Sequence, residues 1–187
     1  MATDNRDANM DDAPTGKKLE ELYELLDGIE VAMMTTRRPD GHLVSRAMQH
    51  QAREAGADLW FVTDAEAHKL DELESDPHVN LAYYRDRTRE WVSVSGVARV
   101  SRDREQIRRL YKPDWKMWFP DEGGDRDGGP DDPRLTLIFV DAHSVVYSKQ
   151  NRPTPLVLFE LAKGMVSGSQ PDVADVRKLD ANELGRG

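Results

Sequence analysis

The sequence predicts a mainly β fold with flanking helices, arranged as an antiparallel barrel. Three observations carry that prediction. Apolar residues alternate over short runs, most clearly in WVSVSGVARV at 91–100. Turn signals such as Arg38-Pro39-Asp40-Gly41 separate the runs. Helical periodicity is confined to single stretches between strands, which favours an antiparallel barrel over a doubly wound sheet.

Composition narrows the function. The 187 residues carry 35 acidic against 26 basic side chains, a net charge of −9. That balance argues against binding a nucleic-acid backbone, which needs a basic face. Cysteine is absent, so a disulfide, a thiol nucleophile and a cysteine-bound metal are excluded. No apolar run approaches the ~20 residues of a membrane span. Met1–Gly16 has neither the basic nor the apolar region of a secretory signal, so the expected location is the cytoplasm. The same sixteen residues lack periodicity and are expected to be a disordered lead-in. A single domain is expected over 17–166, followed by a flexible polar tail over 167–187.

The elements follow in order. Leu19, Leu22, Leu25 and Leu26 form one helical stripe that Gly28 would end. Ile29–Thr36 reads as a largely buried strand. After the turn at 38–41 the chain returns through His42–Gln51. There Leu43, Ser45, Ala47 and Gln49 share one face, and Val44, Arg46, Met48 and His50 the other. Arg46 on that second face either snorkels to water at a sheet edge or clamps a phosphate or carboxylate. Strands are further expected at His78–Tyr84 and Trp91–Val100, with Gly96 marking a bulge or a close backbone approach. A short helix over Arg102–Tyr111 turns Ile107 and Leu110 inward. Trp115, Trp118 and Phe119 then precede a Gly/Asp/Pro-rich insert, Asp121–Asp132; such aromatics serve as an interface, as a lid, or as packing against the barrel. Leu135–Val140 is a last core strand with Ser144–Tyr147 as its short partner. Leu156–Met165 fits a helix or a strand equally.

The organising stretch is Asp58–Leu73, DLWFVTDAEAHKLDEL. Its first half is aromatic and β-branched, as in a half-buried strand; its second half has helical spacing. Thr63-Asp64-Ala65-Glu66 between them has the form of a helix capping box. A strand running into a capped helix start offers a seat for an anion. Lys69, in the second turn, either reaches that seat or pairs with Glu66 as an ordinary surface lysine.

These pieces together resemble the pyridoxamine 5′-phosphate oxidase-like, FMN-binding split-barrel superfamily, and within it the bacterial general stress protein group. The likeness covers Lys17–Met165 and rests on the segments IEVAMMTTRRPDGHLVSRAM, LWFVTDAEAHKLDEL, DPHVNLAYY, WVSVSGVARV, WFP at 118–120 and DPRLTLIFVD. It implies an antiparallel, Greek-key-like split β-barrel that binds FMN. By position, Arg46 and Lys69 would hold the FMN phosphate. Ala47, Met48 and Gln49 would line the isoalloxazine edge, and Phe61, Val62 and Thr63 would stand behind the cofactor. His68, beside the lysine where relatives often carry Ser or Arg, is a further candidate. Trp118 would come from the second subunit of a homodimer whose cofactor sites lie at the interface.

The resemblance implies an FMN-dependent oxidoreductase acting on an unidentified small substrate or a nicotinamide donor. The alternative is a non-catalytic flavin-binding carrier or sensor. A third reading, a split barrel holding haem or a deazaflavin, has little to carry it: no pair among the five histidines has helical ligand spacing, and no metal site is expected. Two departures set vitamin B6 oxidation aside. Trp91 stands where true oxidases carry glutamine, and their basic C-terminal motif has no counterpart. Val145-Val146-Tyr147-Ser148 also lacks the tryptophan that stress-group relatives carry after the tyrosine.

Overall fold

The computed structural model describes residues 13–53, 58–150 and 174–185. The elements run α1 (Thr15–Asp27), β1 (Val31–Arg37), β2 (Leu43–Gln49), β3 (Leu59–Asp64), α2 (Lys69–Ser75), β4 (His78–Arg85), β5 (Glu90–Ser101), α3 (Arg104–Leu110), a 3-10 turn (Pro113–Met117), β6 (Leu135–Gln150) and β7 (Ala174–Asp180). The strands form a mostly antiparallel seven-stranded sheet in the order β2-β1-β4-β5-β6-β3, with β7 added to β6. Among the described residues the sheet does not close by a ladder: an isolated antiparallel bridge, His50 to Phe61, stands between the ends of its path. No described helix is long and apolar enough to cross a membrane.

The described chain divides into two compact units. One comprises the described residues of Met1–Ile29, Leu81–Val94 and His143–Gly187. In it α1 buries Leu22, Leu25 and Leu26 as the stripe predicts, but Lys18 is also buried. The Lys18 ammonium donates to the Glu183 carboxylate at 2.8 Å and to the Lys178 carbonyl at 3.3 Å. Two expectations change here. Ser144–Tyr147 is not a separate partner strand but the continuation of β6, a sixteen-residue strand. Its partner is β7, within the stretch expected to be a flexible tail, registered from Ser144↔Asp180 to Gln150↔Ala174. Only Leu179 of β7 is fully buried. Arg177 adds to what fixes it, pairing with Asp175 on the same strand and with Glu21 of α1, and the second pair has no local signal in the sequence. The expected lead-in reaches to Gly16, whereas helix α1 already begins at Thr15; residues 1–12 of the lead-in and the ambiguous Leu156–Met165 lie outside the described residues.

The other unit comprises Glu30–Asn80 and Ser95–Ala142. The turn at 38–41 closes as predicted: the Gly41 N–H reaches the Arg38 carbonyl at 2.8 Å, and Gly41 takes φ +87°, which a glycine adopts without steric cost. Strand β1 is not largely buried. It alternates, leaving Val31 and Met33 about half exposed (48% and 44%) on its outer face. Gly96 marks the close approach: a Cβ there would lie 2.3 Å from the Asp141 carbonyl oxygen. Trp60, Trp115 and Phe139 centre the core, with Trp60 edge-on to Trp115 and stacked on Phe139, each at 6.1 Å. Asp103 caps α3 through the N–H groups of Glu105 and Gln106, turning Ile107 and Leu110 into that core.

The insert is tied down by two arginines. Arg134, buried, donates to the Asp132 carboxylate at 2.7 Å and to the Pro120 carbonyl at 2.8 Å, pairs with Glu122 at 2.9 Å, and lies 5.8 Å from the centre of the Phe119 ring. Arg126 pairs with Glu122 and with Glu66, in the turn after β3. The hydrogen bond from Arg134, against the opposing effect of burial, holds the Asp132 carboxyl down at about 2. A carboxyl with a folded pKa below its unfolded value of about 3.9 stabilises the fold above that value and loses the contribution as pH falls through the folded one. In denaturant titrations, wild type is expected to exceed Asp132→Asn in stability by a constant margin above about pH 5, narrowing from about 4 toward about 2. A margin unchanged across that window would contradict the assignment.

Candidate functional site

The second unit contains a cavity of about 420 Å³. Four pieces of chain wall it. Val31 comes from β1, and Ala47, Met48 and Gln49 from β2, Ala47 and Gln49 on its more exposed face and Met48 on the other. Val62, Thr63 and Asp64 come from the end of β3, and Lys69 from the first residue of α2. The 3-10 turn and the residues after it supply Asp114, Trp115, Met117, Trp118 and Phe119. Gln51 completes the lining, its side-chain oxygen accepting from the Trp115 indole at 3.1 Å. Trp115 and Phe119 are also core residues, 2% and 3% exposed, whereas Met117 and Trp118 stand on the rim, 72% and 66% exposed.

The strand–helix junction is built differently from the expected capping box. Thr63 stays in the ladder opposite Thr136, so it is not a helix cap. The Asp64 carboxylate accepts the Glu66 N–H at 2.8 Å, and the Ala65 N–H bonds the Arg134 carbonyl at 2.7 Å. These bonds hold a turn through Ala67 and delay the helix to Lys69. With seven residues and no side-chain cap on His68, α2 has too few aligned peptides to make the anion seat that the capping box suggested. Glu66 is engaged with Arg126, so the expected pairing of Lys69 with Glu66 does not form. The ammonium instead donates to the Thr63 hydroxyl at 2.8 Å, at the cavity. Burial pushes the Lys69 pKa down, and the charge of Arg46 adds to the effect against the pull of Asp64 and Glu72.

Arg46 neither snorkels nor lines the cavity. Its guanidinium turns inward, donating to the Glu72 carboxylate at 2.6 Å and to the Thr36 hydroxyl. Thr36 in turn donates to the same Glu72 oxygen, and Glu72 is buried. Burial opposes ionisation of Glu72, but the hydrogen bonds from Thr36 and Arg46 outweigh it and hold the carboxyl below its usual range.

Of the ten residues singled out from the sequence, Ala47, Met48, Gln49, Val62, Thr63, Lys69 and Trp118 share this one cavity. Trp118 reaches it on its own chain. Arg46 lies behind the lining, Phe61 is fully buried opposite Ile138, and His68 is exposed at the start of α2. The sequence reading did not assign Val31, Gln51, Asp64, Asp114, Trp115, Met117, Phe119 or Glu72 to a site. The aromatic cluster did hint at Trp115 and Phe119. Glu72 gave no signal beyond helical spacing from Lys69.

A mostly antiparallel, unclosed sheet with short helices between its strands makes this a split-barrel protein. Residues 17–172 match the profile described as pyridoxamine 5′-phosphate oxidase like, and the chain belongs to that family. It is 36% identical over 183 residues to Protein bli-3 of Neurospora crassa, covering 96% of this chain and 88% of that one. Its fold is similar to that of a Clostridium acetobutylicum protein related to general stress protein 26 (TM-score 0.61, 20% identity, 72% of this chain and 89% of that one). It is also similar to the general stress FMN/FAD binding protein of Xanthomonas citri (TM-score 0.54, 27% identity, 67% and 84%).

Proposed function

We propose that the cavity binds FMN and that the protein is an FMN-dependent oxidoreductase acting on an unidentified small substrate. The observation that carries this reading is the half-buried Lys69 ammonium at a cavity whose aromatic and aliphatic walls, Val31, Val62, Trp115 and Phe119 among them, are joined by the polar Gln49, Gln51, Thr63, Asp64 and Asp114. The residues fit the group. A volume of about 420 Å³ lies within the range of small-cofactor sites. Lys69, with Arg46 behind it, offers positive charge to a phosphate, while Trp115 and Phe119 give a rigid apolar wall. Among the described strands β2 ends the hydrogen-bonded path, and the backbone N–H and C=O groups on its outer edge, without a ladder partner among those strands, suit the edge of a heteroaromatic ring. The FMN/FAD binding named for the Xanthomonas citri relative agrees with this reading.

When bound, the flavin supplies the redox chemistry. The chain's own part is to hold the phosphate at Lys69, orient the ring against β2, and keep water from the buried side through Trp115 and Phe119. Met117 and Trp118 stand where a substrate would enter.

Titrating the apoprotein with FMN and with riboflavin tests the reading. Tight FMN binding is expected, with Lys69→Ala weakening it roughly ten- to a hundred-fold, as for loss of a charge-assisted hydrogen bond. Riboflavin, which lacks the phosphate, should be little affected. Equal loss of both ligands, or no flavin binding by wild type, would contradict it.

We also propose a homodimer with the cavities at its interface. Val31, Met33 and Leu43 are exposed on the outer face of the β1–β2 hairpin, and Trp118 at the rim of a cavity that Val31 also lines. Such surface is costly to leave in water. Light scattering should give twice the 21.2 kDa chain mass; the single-chain mass with flavin bound would remove the dimer.

Pyridoxamine 5′-phosphate should be a poor substrate. Its phosphate needs a basic cluster of its own, since two dianions sharing one would repel strongly. Lys149 and Arg177 are already paired with Glu24 and Glu21 of α1. Oxygen consumption with this compound should fall far below the enzyme median of about 10 per second. Turnover near that value would identify a B6 oxidase instead.

A further inference from the structure

The structure assigns Glu72 as the positioning residue of the phosphate end: its carboxylate holds the Arg46 guanidinium beside Lys69, and through Arg46 it sets the affinity for the phosphate. The assignment rests on the FMN reading above. Glu72 does not line the cavity, and Arg46 stands behind the lining at Lys69 rather than in it, so any effect Glu72 has on a ligand passes through the charge of another group. That group is Arg46, bonded to Glu72 at 2.6 Å within a closed set of three hydrogen bonds that Thr36 completes.

Electrostatics explains why a carboxylate is needed there. Arg46 and Lys69 are close enough for the arginine's charge to oppose protonation of the lysine. Two cations so placed repel each other, and a flexible arginine on a path-end strand would relieve the repulsion by swinging into water. Thr36 is neutral and cannot offset that repulsion. Glu72 can: it sits three residues after Lys69 on the same side of α2, 8% exposed, with its charged form favoured by the hydrogen bonds from Thr36 and Arg46 despite burial. It therefore ties the helix carrying Lys69 to the strand carrying Arg46. An arginine fixed beforehand loses less side-chain freedom when a phosphate arrives, which raises affinity.

Fluorescence titration of the full chain with FMN and riboflavin, comparing wild type, Glu72→Ala, Glu72→Gln, Arg46→Ala and the Glu72→Ala/Arg46→Ala pair, tests the assignment. Glu72→Ala is expected to weaken FMN about ten-fold, in line with a charge-assisted contact, and riboflavin by less than about two-fold. Added to Arg46→Ala, it should produce little further loss, because coupled groups are not additive. Glu72→Gln keeps the acceptor without the charge and should fall between wild type and Glu72→Ala; it carries the same comparison if the alanine variant does not fold. Equal weakening of FMN and riboflavin, a full further loss in the Arg46→Ala background, or FMN affinity unchanged in the Glu72 variants would overturn the assignment while leaving the FMN reading intact. Failure of wild type to prefer FMN over riboflavin would overturn both.

Discussion

The six-residue antiparallel ladder between β3 and β6 is the constraint on which the site depends. It runs from Leu59↔Val140 to Asp64↔Leu135 and carries the core: Trp60 and Phe61 on one strand, Leu137, Ile138 and Phe139 on the other, all fully or nearly fully buried. Both faces of the ladder are buried, so at about 1.5–3 kcal/mol for each large buried side chain, slipping this register by one residue would exchange the two faces and undo the packing on each. Because the register is fixed, Thr63 is held at the mouth of the ladder with its hydroxyl free to accept from Lys69. The turn that follows brings the lysine to the cavity, and the ladder places the aromatic wall behind it.

Polar groups then hold what the apolar core only roughly places. Arg134 gathers the start of the insert, the Phe119 ring and the Asp132 carboxylate around one buried guanidinium. Arg126 links the same insert to Glu66, three residues before Lys69. The insert that interrupts the sequence between Phe119 and β6 is thereby part of the cavity's support, fastened at both the aromatic wall and the Lys69 turn. Such charge pairs are directional where hydrophobic contacts are not, and this suits a site that must hold a planar ring and a phosphate in fixed relation.

The strands were legible because their signal is local. Alternation in β2 and β5, the turn at 38–41 and the close approach at Gly96 each follow from a few neighbouring residues. Where the structure departs from the sequence reading, the deciding contact is distant in the chain. The capping box fails because Thr63 stays paired with Thr136 of β6 and the Glu66 N–H goes to Asp64; the polar stretch at 174–180 becomes a strand because β6 continues past Val140 to receive it. The same holds in the site. Seven of ten residues met at one cavity, five of them on β2 and β3 and two, Lys69 and Trp118, at a helix start and just past the 3-10 turn, while the inward turn of Arg46 depended on Glu72, 26 residues away in sequence and joined to it only by folding.

A crystal structure of the protein grown with FMN tests the central claim most directly. The account predicts a phosphate oxygen within hydrogen-bond distance of the Lys69 ammonium and the isoalloxazine ring against Ala47, Met48 and Gln49. Flavin density elsewhere on the chain, or a phosphate remote from Lys69 with the cavity filled by something else, would contradict it.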